Sequence, residues 1–149
     1  GSATVQRGAG LMVGILCAAF GFPNNGREVP AAVTFTNEAD GEVWTRTIGG
    51  RRFTSFQSVG KGRSQHLLVE RFGVVRVSIA LVRDGSRLFF VPRRWSILKI
   101  PMPKCLLPTG ESFETDIGGK FAFDVTIRMP LRGLIVAYSG ILKSEEIAV

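Results

Sequence analysis

The chain has 149 residues and carries 19 lysines and arginines against 12 aspartates and glutamates, which gives a formal net charge of +7. Hydrophobic residues make up 45% of it, and a chain of this size folds as one domain with its own core. No apolar run approaches the ~18 residues of a membrane-spanning helix, so none is predicted. We expect a single domain over residues 3–149, with Gly1-Ser2 left outside it as a remnant of cloning.

Metal-ligating residues are few. The chain has two cysteines, Cys17 and Cys105, and one histidine, His66. Neither cysteine lies in a Cys-x-x-Cys motif, and a structural zinc site takes about four such ligands. No metal or other cofactor is therefore predicted, and both cysteines are interpreted as buried free thiols of a cytoplasmic protein.

Residues 10–21 predict the one helix. Leu11 to Phe20 are apolar throughout, Gly21 is placed to act as a C-terminal cap, and Pro23 prevents continuation. A helix that is apolar on every side must be buried, which predicts a plug against the open end of a sheet. The alternative is a helix at a membrane interface, although it lacks the charged face that such helices use.

From about residue 29 to residue 143 the pattern is typical of short strands joined by tight turns. Gly49-Gly50 favours a two-residue turn of the primed type, and Asp84-Gly85 is a strong hairpin signal. In the last hairpin, alternating apolar rows run on both sides of Pro130. The predicted strands are 32–37, 42–48, 51–58, 65–72, 74–83, 87–91, 94–100, 111–117, 120–129 and 134–142.

Strands in this order predict a mainly β fold. There is no strand–helix alternation, so a parallel α/β sheet is excluded. Successive hairpins give an antiparallel up-and-down meander, which must close or curl strongly because open edges invite aggregation. We expect a lipocalin-like barrel with one short N-terminal helix. A strongly curved, half-open sheet over the helix is the second interpretation, and a two-sheet sandwich is the third.

Two strand rows contain an ionisable group between large apolar ones. One row is Trp44, Arg46 and Ile48, and the other is His66, Leu68, Glu70 and Phe72. Such a group lies either at a rim or paired in the interior. If the rows face inward, Trp44, Arg46, Glu70, Phe72 and His66 line a ligand cavity in which Arg46 suits a carboxylate, such as an acidic lipid. The alternative turns the neighbouring residues inward: Val43, Thr45, Thr47, Leu67, Val69 and Arg71.

Residues that would carry catalysis are not recognisable. The chain has no Gly-x-Ser-x-Gly elbow, no Walker loop and no glycine fingerprint between a strand and a helix. No catalytic residue is assigned, and the protein is predicted not to be an enzyme. Arg93, Arg94 and Trp95 form a candidate basic surface, since basic and aromatic residues together can bind nucleic acid. A core position explains Trp95 more simply, and nucleic acid is not the expected partner.

Four segments resemble a known bacterial family, the one catalogued as domain of unknown function 4166. They are VWTRTIGGRRFTS (43–55), LLVERFG (67–73), VPRRW (91–95) and FAFDVTIRMPLRGLIVAYSG (121–140). The resemblance covers about residues 7–142 and implies no activity, cofactor or site residue. It implies that the domain can be the C-terminal part of a longer bacterial protein. Other domains of that protein are then expected partners, and the location is cytoplasmic or membrane-associated through the parent.

The leading functional hypothesis is a non-enzymatic domain that holds a small apolar or amphipathic ligand inside the barrel. The second is an interaction domain with a filled core that docks its basic surface on a partner protein or an anionic membrane. The third is an enzyme that uses Arg46, Glu70 and His66. Strand number does not separate them, because it permits both a filled and a hollow interior.

Overall fold

The computed structural model describes residues 1–144, which contain one α-helix and eleven β-strands. The helix α1 spans Leu11–Phe20. The strands are β1 (Ser2–Arg7), β2 (Gly26–Glu38), β3 (Gly41–Ile48), β4 (Arg51–Val59), β5 (Leu68–Phe72), β6 (Val75–Asp84), β7 (Arg87–Ile97), β8 (Ile100–Pro101), β9 (Phe113–Ile117), β10 (Lys120–Met129) and β11 (Gly133–Leu142). The last five residues of the predicted domain, 145–149, lie outside the described residues.

Ten of these strands form a closed antiparallel barrel. Strands β1 to β7 pair in chain order, β7 then pairs with β9, and β9, β10 and β11 follow until β11 returns to β1. The two-residue strand β8 adds to β7 outside this ring. The predicted up-and-down barrel is therefore confirmed, and the half-open sheet and the sandwich are wrong.

The strand that completes the ring, β1, was not predicted. Its residues pair with both β2 and β11, for example Val5 with Tyr138. The amine of Gly1 also donates a hydrogen bond to the carbonyl of Ala31 at 2.9 Å. Ser2 begins this strand, so the described fold includes a residue that precedes the predicted domain start at residue 3.

Pro92 does not divide β7, although two strands were predicted around it. Ser78 of β6 pairs with Arg94, and the next residue, Ile79, pairs with Pro92. Arg93 is thus the extra residue of a β-bulge, and a proline is tolerated beside such an interruption of the ladder. The strand continues through this bulge.

The helix covers one end of the barrel, and only one side of the helix is buried there. Val13 and Cys17 are buried in the main core cluster, and the αL cap at Gly21 closes the last turn with a hydrogen bond from the Phe22 N–H to the Cys17 carbonyl. Leu11 and Ile15 on the other side are 82% and 52% exposed. Burial on every side, as predicted, is wrong. Within residues 1–144 no helix is long and apolar enough to cross a membrane.

The two cysteines differ in environment. Cys17 is fully buried, and burial raises its thiol pKa above the ordinary value, with Arg7 and Arg51 opposing the shift. Cys105 is exposed, so its predicted burial is wrong. It lies on a short 3₁₀ turn, Lys104–Leu106, in the long connection between β8 and β9.

Alternate connections of an up-and-down barrel lie at the same end. We call the end with α1 the helix end; it also carries the β3–β4 and β5–β6 turns, residues 98–112 and the β10–β11 turn. The β2–β3, β4–β5, β6–β7 and β9–β10 connections form the opposite end. Two buried clusters are present, one beneath α1 and one around Val77, Ile79 and Trp95.

Ile48 tests the packing beneath the helix, because it is only 1% exposed within the cluster that contains Val13 and Cys17. We expect Ile48→Ala to lower the free energy of unfolding by about 2–5 kcal/mol, through lost burial and the cavity left behind. Ile117→Ala is the matched control, since Ile117 is 56% exposed. Urea denaturation of both variants measures the difference, and equal losses would contradict the described packing.

Candidate functional site

A cavity of about 170 Å³ lies inside the barrel. The inward row of β10, namely Phe121, Phe123, Val125 and Ile127, forms one wall, and Val77 with Ile79 of β6 forms another. Phe22, just after α1, and Ile48 lie on the lining toward the helix end. The lining is mostly apolar, with a few polar side chains on adjacent strands.

The two predicted rows face this cavity. Trp44 and Arg46 of β3 line it, as do Glu70 and Phe72 of β5. This orientation follows from the two-residue period of each strand, because Ile48 and Glu70 in the same rows are buried. The alternative interpretation, with Val43, Thr45 and their neighbours facing inward, is wrong.

His66 is separate from this group. The strand β5 begins at Leu68, not at residue 65 as predicted, and His66 lies in the preceding connection with a positive φ of 67°. Its side chain is exposed and does not line the cavity. The prediction that His66 shares a strand face with Glu70 is therefore wrong, and the hypothetical trio of Arg46, Glu70 and His66 does not assemble.

A buried ion pair organises the polar side of the cavity. The Nη2 atom of Arg46 donates to Oε1 of Glu70 at 3.0 Å, and the two side chains are 13% and 10% exposed. Ser55 on the intervening strand connects them, because it accepts from Arg46 Nη1 at 2.8 Å and donates to Glu70 Oε1 at 2.6 Å. Gln57 Nε2 donates to the same oxygen at 3.3 Å. The charge of Glu70 is thus compensated by three donors.

Aromatic rings enclose the guanidinium of Arg46. Its Cζ atom lies 5.2 Å from the ring centroid of Trp44 and 5.5 Å from that of Phe53. Rings at this distance attract a cation through their quadrupole, and they also keep water away. Arg46 is therefore held by an ion pair and by two rings before any ligand enters.

Glu114 of β9 adds a second carboxyl group to the same cavity. Burial raises the pKa of Glu114 to about 7, and the negative charge of Glu70 adds to this shift while Arg46 opposes it. Within residues 1–144, Arg46 and Glu70 form the one ion pair. With both carboxyls ionised the polar side carries one negative charge in excess, and with a pKa of about 7 Glu114 is only partly ionised near neutral pH.

Tyr138 of β11 lies close to these charges. Its side chain is buried, and burial raises its pKa to about 12, so the hydroxyl keeps its proton at any physiological pH. The ring packs edge-on against Phe53 and Phe123, with centroid distances of 5.9 and 6.0 Å. Tyr138 therefore supplies a neutral hydroxyl on a rigid ring.

Five polar residues in or beside the cavity were missed by the sequence analysis: Ser55, Gln57, Ser112, Glu114 and Tyr138. The first two could have been found, because they share the inward row of β4 with Phe53. Glu114 gave no such signal, because the apolar residues Phe113 and Ile117 lie in the other row of β9. In the structure Ile117 is exposed and Glu114 reaches the cavity.

The predicted basic surface is only partly assembled. Arg93 and Arg94 are exposed, but Trp95 is a buried core residue whose Nε1 donates to the Pro103 carbonyl at 3.1 Å. Arg94 lies along an open groove on the outer wall, which it shares with four other basic residues: Lys61, Arg63, Arg76 and Lys104. Trp95 also borders this groove, but it is 8% exposed and so presents little of its ring for stacking on a base.

A comparison with protein families matches the model described as Domain of unknown function (DUF4166) to residues 1–142. The chain belongs to this family. The match includes β1 and runs to the last residue of β11, so it covers every strand of the barrel. No curated protein and no solved structure matches the chain. Membership of this domain family adds no activity or ligand, so function has to be argued from the cavity and the surface.

The ion pair can be tested by a double-mutant cycle. We expect Arg46→Met to lower the free energy of unfolding by about 3 kcal/mol, because it leaves the buried charge of Glu70 without its cation. Glu70→Gln should cost a similar amount, since it leaves Arg46 unpaired. The double variant should lose clearly less than the two single losses together, as measured by urea denaturation. Additive losses would mean that the two side chains are not coupled.

Glu114 predicts a pH-dependent stability. Its pKa is raised from 4.5 to about 7 in the folded chain, so the stability that it contributes is present at low pH and is lost as the pH rises through 7. Glu114→Gln removes this titration. We expect the stability of the variant relative to the parent to be about 2 kcal/mol higher at pH 8 than at pH 5.

Glu38→Gln is the control for this measurement, because Glu38 is an exposed carboxylate at the end of β2. Its stability relative to the parent should change little between the two pH values. The same pH dependence in both variants, or none in Glu114→Gln, would contradict the burial of an ionisable Glu114.

Proposed function

We propose that the barrel binds a small, mainly apolar ligand in its interior, with the polar group of that ligand against Arg46, Glu70 and Glu114. The observation that carries the proposal is the cavity itself, where an apolar lining surrounds a compact polar side. This combination is characteristic of small-molecule sites, in which a few placed polar groups orient an apolar ligand. A closed barrel of this kind is compatible with such binding.

The cavity volume limits the size of the ligand. At about 170 Å³, it is slightly larger than an engineered cavity of ~150 Å³ that binds benzene. It is smaller than the ~300 Å³ at which typical ligand pockets begin. We therefore infer a ligand of about one ring or a short chain, and a long fatty acid is too large for the described cavity.

The charges limit the polar group of the ligand. The hypothesis of a carboxylate ligand on Arg46 needed a free guanidinium, but Arg46 already binds Glu70 and Ser55. A ligand carboxylate would also meet Glu114, and three carboxyl groups around one arginine repel one another. We infer that the ligand is neutral or basic, and that a basic ligand binds best above pH 7, where Glu114 ionises.

Three ligands of one ring and different charge test this proposal: toluene, benzylamine and benzoate. We expect toluene to bind with an affinity that is independent of pH, and benzylamine to bind at least tenfold more tightly at pH 8 than at pH 5.5. Benzoate should be the weakest of the three at pH 8. Line-broadening and chemical-shift changes in NMR spectra, or calorimetric titration, measure all three. If benzoate bound most tightly at pH 8, the inference that the ligand is neutral or basic would be wrong.

Two variants place the binding in the cavity. Val125→Phe adds a ring to the lining and should abolish the binding of toluene, whereas Val82→Phe, on the exposed part of β6, should not. Glu114→Gln should remove the pH dependence of benzylamine binding and leave toluene unaffected. The cavity would not be a binding site if all three compounds failed to bind the parent chain, or if Val82→Phe and Val125→Phe had equal effects.

A further inference from the structure

The outer side of α1 is an apolar surface at the helix end of the barrel. Leu11, Met12 and Ile15 are 82%, 45% and 52% exposed, and the intervening Gly14 is also exposed. Residues 8–25, which contain the helix, include no charged side chain at all. Only the side of this helix that carries Val13 and Cys17 therefore packs against the barrel interior.

A second apolar projection lies at the same end. Leu131 is 96% exposed at the tip of the β10–β11 turn, where its φ of 70° is a conformation that L residues seldom adopt. The turn leads directly into Ile135, whose carbonyl accepts from the Cys17 Sγ at 3.6 Å and from the Gly8 N–H at 3.0 Å. The turn and the helix are thus attached to the same few residues of β11.

Arginines lie beside the helix and in the turn that carries Leu131. Arg51 and Arg52 begin β4 beside the helix C-terminus, where a Cβ at Gly21 would lie 2.8 Å from the Arg52 carbonyl. Arg132 follows Leu131 in its turn. Within residues 1–144, Arg46–Glu70 is the one contact between a basic side chain and a carboxylate shorter than 4.0 Å. None of these three arginines is therefore neutralised by such a contact.

The charge differs between the two ends of the barrel. At the opposite end, the turns and the strand residues next to them carry acidic and basic groups in balance, namely Glu38, Asp40, Glu42, Asp84 and Asp116 against Lys61, Arg63, Arg83, Arg87 and Lys120. At the helix end the exposed acidic residues are Glu28 and Glu111, against the three arginines above, Arg27, Lys99 and Lys104. An anionic partner would thus be attracted to the end where the apolar residues project.

We propose that the helix end docks on an anionic lipid bilayer, with Leu11, Ile15 and Leu131 in the acyl boundary and Arg51, Arg52 and Arg132 on the phosphate groups. Amphipathic interfacial helices carry their basic residues on their own polar face. Here the adjoining turns supply the cations that α1 lacks. Nucleic acid fits less well, because the residues that project are aliphatic and offer no ring on which a base could stack.

Vesicle flotation of the full chain tests this proposal. The chain should float with vesicles of about one-third phosphatidylglycerol in phosphatidylcholine, and not with phosphatidylcholine alone. The pair Leu11→Gln and Ile15→Gln should lower the partition coefficient by tenfold or more, because two exposed aliphatic side chains lose their burial. Arg52→Gln and Arg132→Gln should each lower it by about fivefold.

Matched variants at the opposite end are the controls. Val59→Gln with Ile117→Gln replaces two exposed aliphatic residues there, and Arg63→Gln with Arg83→Gln replaces two exposed arginines. All of these positions are exposed, so the variants should fold, which circular dichroism checks. The controls should partition like the parent.

Three results would overturn the proposal. One is no partition into the anionic vesicles, and another is an equal loss in the control variants. The third is a parent chain that does not bind vesicles but binds duplex DNA, or associates with itself in sedimentation, and loses that binding in the Leu11 and Ile15 variant. That result would assign the surface to nucleic acid or to a second copy of the chain.

Discussion

The closure of the sheet by β1 is the constraint on which the other features depend. Without this strand, β2 and β11 would both end as exposed edges, and a sheet with two free edges is open to aggregation. The strand fits between them because glycines allow close approach. A Cβ at Gly8 would collide with the Leu134 carbonyl, and one at Gly140 would collide with the Ser2 carbonyl. Closure then fixes which row of every strand faces inward, and it confines the inward side chains within the barrel.

Confinement explains the chemistry of the interior. On an open sheet Arg46 and Glu70 could turn toward solvent, but in the ring they lie on β3 and β5 with only β4 between them. Their charges are tolerated because each has several partners, as buried ions require. Glu114 reaches the same space from β9 without an ion pair of its own, and burial therefore acts on its protonation. The polar side of the cavity thus forms because the closed barrel makes side chains of β3, β5 and β9 face the same interior space.

Local pattern predicted much of this fold, and the failures have particular causes. The inward rows of β3 and β10, the αL cap at Gly21 and the turn at Gly49-Gly50, with φ of 58° and 79°, follow from side-chain period and glycine conformation. The strand β1 could not be recognised because its six residues precede the helix and one of its two partners, β11, lies more than 100 positions away. His66 was wrongly placed on β5 because the two-residue alternation of side chains does not show where a strand begins. Glu114 could not be recognised because the apolar residues of β9 lie in the other row of the strand, and only the closed ring brings Glu114 to the cavity.

The absence of amphipathicity in α1 now has a physical account. A helix needs one apolar face to pack on a core, and Val13 and Cys17 provide it. A second apolar face facing water lowers solubility, so its presence argues for a second apolar surrounding. The helix would then lie between the core and a bilayer. A ligand could pass from the bilayer to the cavity by this end only if the helix moved. The interior cavity and the proposed lipid surface are on different sides of this plug. The two proposals therefore depend on different residues, and each can hold or fail without the other.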